Sequence, residues 1–354
     1  MESVNKNIKT LNLSKQYSLT GNCQSIIFNK DGIVNLEIST LSAIRQLSNL
    51  DNIKTIVEYY PELKILNTSG SLNFKPLLGN KKSLEYGLYL KDKIQESLNL
   101  ITDYHTNIFP IRKKCYQNLS RVKLFDKVLE VPIYNHTGVT GRTSIVKGFN
   151  FLTLKKEKRK NIKPIGTDKC LVEVDFKSCE PFFYLKSNNF NIDGNDVYLW
   201  LCNKYNIEIK NRDHVKRGIL SMIYGAKEST VSKIMKIPER KVVDIKDDLG
   251  LNSLKDRLQK NYDNKGFFLN YYGRPITSDN NLVNYYIQSS AVDYCSLAFV
   301  AFCKNNNVSP SYFIHDSMTF QCSKEQLVKI LKINSINEPN ANISIPVEFN
   351  VLCE

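Results

Sequence analysis

The sequence predicts an α+β chain. Segments with an apolar period of two stand among segments with a period of three to four, and no βαβ repeat orders them. With 354 residues, 42% of them hydrophobic, the chain can bury one large core or two modest ones.

The elements follow in order. "SIIFNKDGIVNLEIS", from Ser25, reads as two short strands joined by an Asp-Gly turn. From Leu84 to Leu119 the pattern turns helical, with no nameable chemistry. "CLVEVDF" (Cys170 to Phe176) alternates, Val172, Val174 and Phe176 on one face and Glu173 and Asp175 on the other, as in a half-buried strand. "RDHVKRGILSMIYG" predicts a helix from Arg212 that stops at Gly225. "NLVNYYIQSSAVDYCSLAFVAF", from Asn281, is a second, largely apolar helix. "YFIHDSMTF" (Tyr312 to Phe320) reads as a hairpin whose tip holds His315 and Asp316, and "ISIPVEFNV" as a last strand.

The formal net charge of +14 points to a polyanionic partner, and "KKEKRKNIK" (Lys155 to Lys163) supplies a local basic patch. No amphipathic basic helix accompanies that run, which favours nucleic acid over an anionic membrane. No run of apolar residues is long enough to span a bilayer and the N-terminus is polar, so no membrane association is expected and the chain should stay in the cytoplasm where it is made. Nine scattered cysteines without a C-x-x-C pair read as reduced thiols, and the four histidines are too dispersed to suggest a zinc site.

Two features carry candidate chemistry. Asp175 ends a strand and Asp316 tips a hairpin; if those ends are neighbours, two carboxylates converge as oxygen ligands for Mg²⁺, the arrangement used for phosphoryl transfer. Arg212, Lys216, Leu220 and Tyr224 recur every four residues, so one helix face about 18 Å long offers two cations and then an apolar and an aromatic platform. Spacing alone leaves open a pair of unrelated surface aspartates and a solvated basic face.

These residues, in this order, resemble the family A DNA polymerases from about Tyr134 to the C-terminus. "HTGVTGRTSIVKGFNFLTL" is similar to the family's T-G-R and P-N-L-Q-N-I-P segments, "VDFKSCEP" to motif A, "RDHVKRGILSMIYG" to the fingers helix, "NYYGRPI" and "NYYIQSSAVD" to the G-R and N-x3-Q segments, and "IHDS" to motif C. The resemblance implies a right-hand polymerase with an antiparallel palm sheet, helical fingers and a reduced helical thumb. Residues 1–82 would be an N-terminal extension of unassigned role, 83–130 the thumb, 131–211 and 271–354 the two parts of the palm, and 212–270 the fingers.

The implied activity is template-directed DNA synthesis from a primer 3′-hydroxyl. Asp175 and Asp316 would bind two Mg²⁺ ions, and Lys216 would protonate the leaving pyrophosphate. Arg212 and Lys216 would hold the triphosphate of a dNTP, and Leu220 and Tyr224 would line its base and sugar. Arg142, Arg274, Asn284, Gln288 and His315 would face the DNA primer-template. Glu180 would exclude ribose by its bulk.

The chain departs from the family in three places. Ser317 stands where cellular enzymes usually carry Glu, Leu220 replaces an aromatic residue, and Ser289 follows Gln288 in place of Gly. These departures keep open an RNA polymerase or primase-like enzyme on the same scaffold, or an inactive nucleic-acid-binding relative. The stretch before the T-G-R segment is too short for an exonuclease domain plus a thumb, so no proofreading is expected. The compact size suggests a phage or mobile element, whose replication proteins would be further partners.

Overall fold

The computed structural model describes residues 9–12, 23–28, 34–38, 72–74 and 103–353, apart from 137 and 167. The chain divides into two compact units, Met1–Phe109 and Pro110–Glu354. In the first, β1 (Lys9–Asn12), β2 (Cys23–Phe28), β3 (Val34–Ile38) and β4 (Leu72–Phe74) form an antiparallel sheet in sequential order. The strand pair expected from Ser25 is present as β2 and β3. Most of the expected helical stretch from Leu84 lies outside the described residues; its end is α1 (Phe109–Cys115).

The second unit mixes helices with antiparallel sheets. Its centre is a five-stranded sheet in the order β13 (Ser309–Ile314), β14 (Ser317–Cys322), β10 (Cys170–Phe176), β16 (Ile343–Cys353), β15 (Ser335–Glu338). Every neighbouring pair is antiparallel. Strands far apart in sequence thus become partners, the arrangement of an α+β sheet.

Two layers cover this sheet. On one face, Val172, Val174 and Phe176 meet α3 (Cys179–Ser187) and α9 (Leu282–Asn306) in the main core. Phe176 touches Tyr294 and Phe299 at ring-centroid distances of 5.4 and 5.0 Å. The long α9 is apolar around most of its circumference, as a helix enclosed by core must be. On the other face, Leu171, Tyr312 and Ile314 meet Val122, Phe151 and Ile162. Those residues come from a turn at Phe151–Thr153 and from a small sheet of β6 (Lys127–Val128), β5 (Val122–Leu124) and β9 (Ile162–Pro164), and the Phe151 ring stacks on Tyr312 at 3.9 Å. The strand "CLVEVDF" is therefore not half-buried as its alternation suggested. Glu173 is only 3% exposed, and Asp175 alone in β10 opens to solvent.

The expected helix from Arg212 is α5 (Arg212–Ile223), ending on Gly225 in the left-handed region at φ +79°. Val215, Ile219, Met222 and Ile223 bury its inner face, leaving Lys216 and Tyr224 exposed and Arg212 and Leu220 half-buried. Around it lie α4 (Val197–Lys204), α6 (Glu228–Met235), α7 (Glu239–Asp248) and α8 (Leu251–Lys265). No helix among the described residues is long and apolar enough to cross a membrane.

Candidate active site

The two carboxylates singled out in the sequence meet at one end of the central sheet. β10 and β14 pair so that Asp175 lies opposite Ser317, and the amide of Phe176 donates to the carbonyl of Asp316 at 3.4 Å. The hairpin turns through His315 at φ +54°, a left-handed conformation that a residue with a Cβ adopts at a cost of about 1–2 kcal/mol. That turn sets Asp316 beside Asp175.

Charge at this end is in conflict. Burial, then the Asp316 carboxylate and Glu173, push the Asp175 carboxyl up to about 7, while Lys156 pulls the other way. Burial also pushes Asp316 up, against Arg142 and His315. Asp175 is open to solvent, so water screens part of its shift; the direction follows from two carboxylates that resist ionising together. A divalent cation would remove that conflict, and the donor set fits Mg²⁺. The groups are hard oxygen donors, and no group of three or more His, Cys, Asp or Glu able to enclose an ion occurs among the described residues. Mg²⁺ characteristically takes one or two carboxylates and completes its shell with water and phosphate oxygens.

Beside the pair lies a cleft lined by Arg142, Cys179, Glu180, Cys295, His315 and Asp316, among others. Glu180, in the first turn of α3, accepts from the Arg142 guanidinium at 2.9 Å and from the Gln288 amide at 3.4 Å. Asn284 and Gln288 are one helical turn apart on α9 and share a face. Tyr224 is electrostatically coupled to Glu180 and Arg142, and its hydroxyl is pushed up, first by burial. Arg142, Glu180, Tyr224, Gln288, His315 and Asp316 therefore form one neighbourhood with Asp175.

The cationic end of α5 reaches this neighbourhood through Tyr198. Arg212 and Lys216 lie 5.5 and 5.8 Å from the Tyr198 ring centre, and Tyr198 is coupled to Ser178 and Glu180. Arg212 Nε also donates to Asp196 at 2.6 Å, which aims the guanidinium. Leu220 lies half-buried on the same helix.

Arg274 is placed differently from the expected contact with nucleic acid. Its side chain is 0% exposed and donates to Asp293 at 2.6 Å, where Arg112 Nε also lies 3.4 Å away. Asn270 completes the other Asp293 oxygen at 2.8 Å. Arg112 further donates to the carbonyl of Gly141, and a Cβ on Gly141 would overlap the Arg274 guanidinium. The glycine at φ +70° thus lets the loop carrying Arg142 lie on a buried cation. Arg274 supports the site from behind.

Sequence reading also missed Arg159 and Glu173. Arg159 donates to Glu173 at 2.7 Å, and Ser317 Oγ lies 3.4 Å from the same oxygen. Glu173 is a third carboxylate on the Asp175 face, neutralised by an arginine that had read as part of a solvated basic run.

No protein-family model matches the chain, and no curated protein matches it. Among solved structures, the chain is similar to the polymerase domain of Pol1 from M. smegmatis in complex with DNA primer-template and dNTP, at 13% identity and a TM-score of 0.45. The match covers 88% of this chain and 62% of that one, so the chain spans under two thirds of the neighbour's length.

Two measurements probe this electrostatic frame. Asp293→Asn leaves two buried guanidinium groups without their carboxylate and should lower the unfolding free energy by about 3 kcal/mol or more in urea denaturation. The second concerns pH. A folded-state carboxyl raised to about 7 contributes stability that is complete below its ordinary value of 3.8 and is lost as pH rises through about 7. Asp175→Asn should therefore gain melting temperature relative to the parent between pH 5 and pH 8 in metal-free buffer; a pH-independent difference would contradict the raised pKa.

Proposed function

We propose that this chain is a template-directed DNA polymerase of the family A type. The observation that carries the reading is the convergence of Asp175 and Asp316 at one sheet end, beside a cleft lined by Glu180 and Arg142, with Gln288 bonded to Glu180. The ordered motifs from Tyr134 onward support it, because Arg142 and Asp316, 174 positions apart, line one cleft. In this reading residues 131–211 and 271–354 are the palm, 212–270 the fingers and 83–130 a reduced thumb, within a right-hand layout.

Each side chain then has a task. Asp175 and Asp316 would hold two Mg²⁺ ions, which when bound stabilise the attacking and leaving oxygens of an in-line phosphoryl transfer. Arg212 and Lys216 bind and neutralise the dNTP triphosphate, and Lys216, exposed on α5, gives a proton to the departing pyrophosphate. Leu220 and Tyr224 line the base and sugar. Arg142, Asn284, Gln288 and His315 orient the primer end. Glu180, held by hydrogen bonds from Arg142 and Gln288, would exclude a 2′-hydroxyl by its bulk. Positioning and charge neutralisation supply most of the rate.

The test is extension of a labelled primer on a DNA template with Mg²⁺, comparing dNTPs with rNTPs. The parent should use dNTPs, Asp316→Ala should lose at least about 1,000-fold in rate, and Glu180→Ala should gain ribonucleotide use. Extension by Asp316→Ala at the parental rate would place the chemistry elsewhere, and equal use of both sugars by the parent would favour an RNA-synthesising enzyme.

A further inference from the structure

The basic run of the sequence has a built location. Its helical turn, α2 (Lys156–Arg159), is tied to the central sheet by the Arg159 to Glu173 ion pair, with relative exposures of 17% and 5%. Arg159 is the one residue from Lys155 to Lys163 with an ion pair among the described residues. The anchor turns the neighbouring lysines outward: Lys155, Lys156, Lys158 and Lys160 are all exposed. Glu173 lies two residues before Asp175 on the same strand face, so the turn anchored by Arg159 packs on the strand that carries Asp175. The cationic ridge therefore begins at the carboxylate pair.

It continues onto the small sheet. β5 and β9 pair with Val122 opposite Pro164, Lys123 opposite Lys163 and Leu124 opposite Ile162. Val122 and Ile162 point into the core against Leu171, Tyr312 and Ile314, so the alternation sends Lys123 and Lys163 to the outer face. Like charges directly opposite one another in a sheet repel and destabilise the pairing. Neither lysine has a carboxylate within ion-pair distance among the described residues, and the acids along the ridge (Asp126, Glu157 and Asp168) are few and exposed. A polyanion laid over the sheet relieves this repulsion, and the lysines in turn displace cations condensed on its phosphates.

We propose that the outer face of the β5–β9 pair, continued by α2, carries the sugar-phosphate backbone of a DNA duplex whose recessed 3′ end lies at Asp175 and Asp316. The surface is distinct from the cleft residues that orient the primer end. Its partner as a duplex ending at the carboxylates rests on the polymerase reading above. The cross-strand lysine pair, costly to the free protein and useful only under an anion, is the observation that selects a phosphate backbone.

The experiment is anisotropy titration of a fluorescein-labelled DNA duplex with a recessed 3′ end, without Mg²⁺ or triphosphate, over a series of salt concentrations. Lys123→Ala/Lys163→Ala should weaken binding roughly tenfold and lower the slope of log affinity against log salt by about 2. Its melting temperature should equal or exceed the parent's, because a repulsion has been removed. Lys163→Glu, which leaves a complementary charge opposite Lys123, should be at least as stable as the parent and bind more weakly still. Parental affinity and salt slope in both folded variants would overturn the proposal. If the double variant melts below the parent, Lys163→Glu decides by the same two readouts. The two readings fail separately: a parent that binds the duplex but cannot extend a primer removes the polymerase assignment, whereas variants that bind like the parent remove only this surface.

Discussion

The pairing of β10 with β14 is the constraint on which the rest of the molecule depends. It joins strands about 140 residues apart, and its register sets Asp175 opposite Ser317 so that Asp316 cannot be elsewhere than beside Asp175. Side chains alternate across a strand, so a slip of one residue would send Asp175 into the aromatic core and Phe176 into solvent. The hydrophobic cost of that slip, an aromatic ring lost from contacts with Tyr294 and Phe299, fixes the carboxylates as firmly as any contact they make themselves. The left-handed turn at His315 is local strain held by the same pairing.

Around this frame, charge is managed by burial on one side and exposure on the other. Asp293 gathers Arg112, Arg274 and Asn270 beneath the loop that carries Arg142, while Arg159 neutralises Glu173 under the Asp175 face. Both clusters need their partners, since a guanidinium or carboxylate left alone in a dry interior costs several kcal/mol. The two aspartates at the sheet end differ: among the described residues neither forms an ion pair, and Lys156, Arg142 and His315 act on them without closing one.

Much of this was legible in the sequence. The hairpin at Tyr312–Phe320, the helix from Arg212 to Gly225 and the helix after Asn281 each form, although the hairpin strands extend to Ser309 and Cys322 and the last helix runs four residues past its expected end at Phe302 to Asn306. The neighbourhood of Arg142, Glu180, Gln288 and Asp316 was legible only through motif order, because no periodicity links residues so far apart. Arg274 was assigned to the primer-template through the G-R segment alone, and nothing in that segment announces its buried partner Asp293, 19 residues away on α9. Glu173 misled for a related reason. Alternation assigned it to a wet face, and the layer that dries that face is built from β5, β9 and the turn at Phe151–Thr153, whose apolar residues are too few to announce a core.

The central claim is that Asp175 and Asp316 act together as one cation site. The direct measurement is Mn²⁺ binding, followed by electron paramagnetic resonance, in the presence of a chain-terminated primer-template and the matching dNTP, for the parent, Asp175→Asn, Asp316→Asn and the double variant. Each single variant should lose most of the bound Mn²⁺, and the double variant should lose no more than either, the non-additivity of residues that act as a unit. Parental Mn²⁺ binding in either single variant, or losses that simply add, would contradict a shared site.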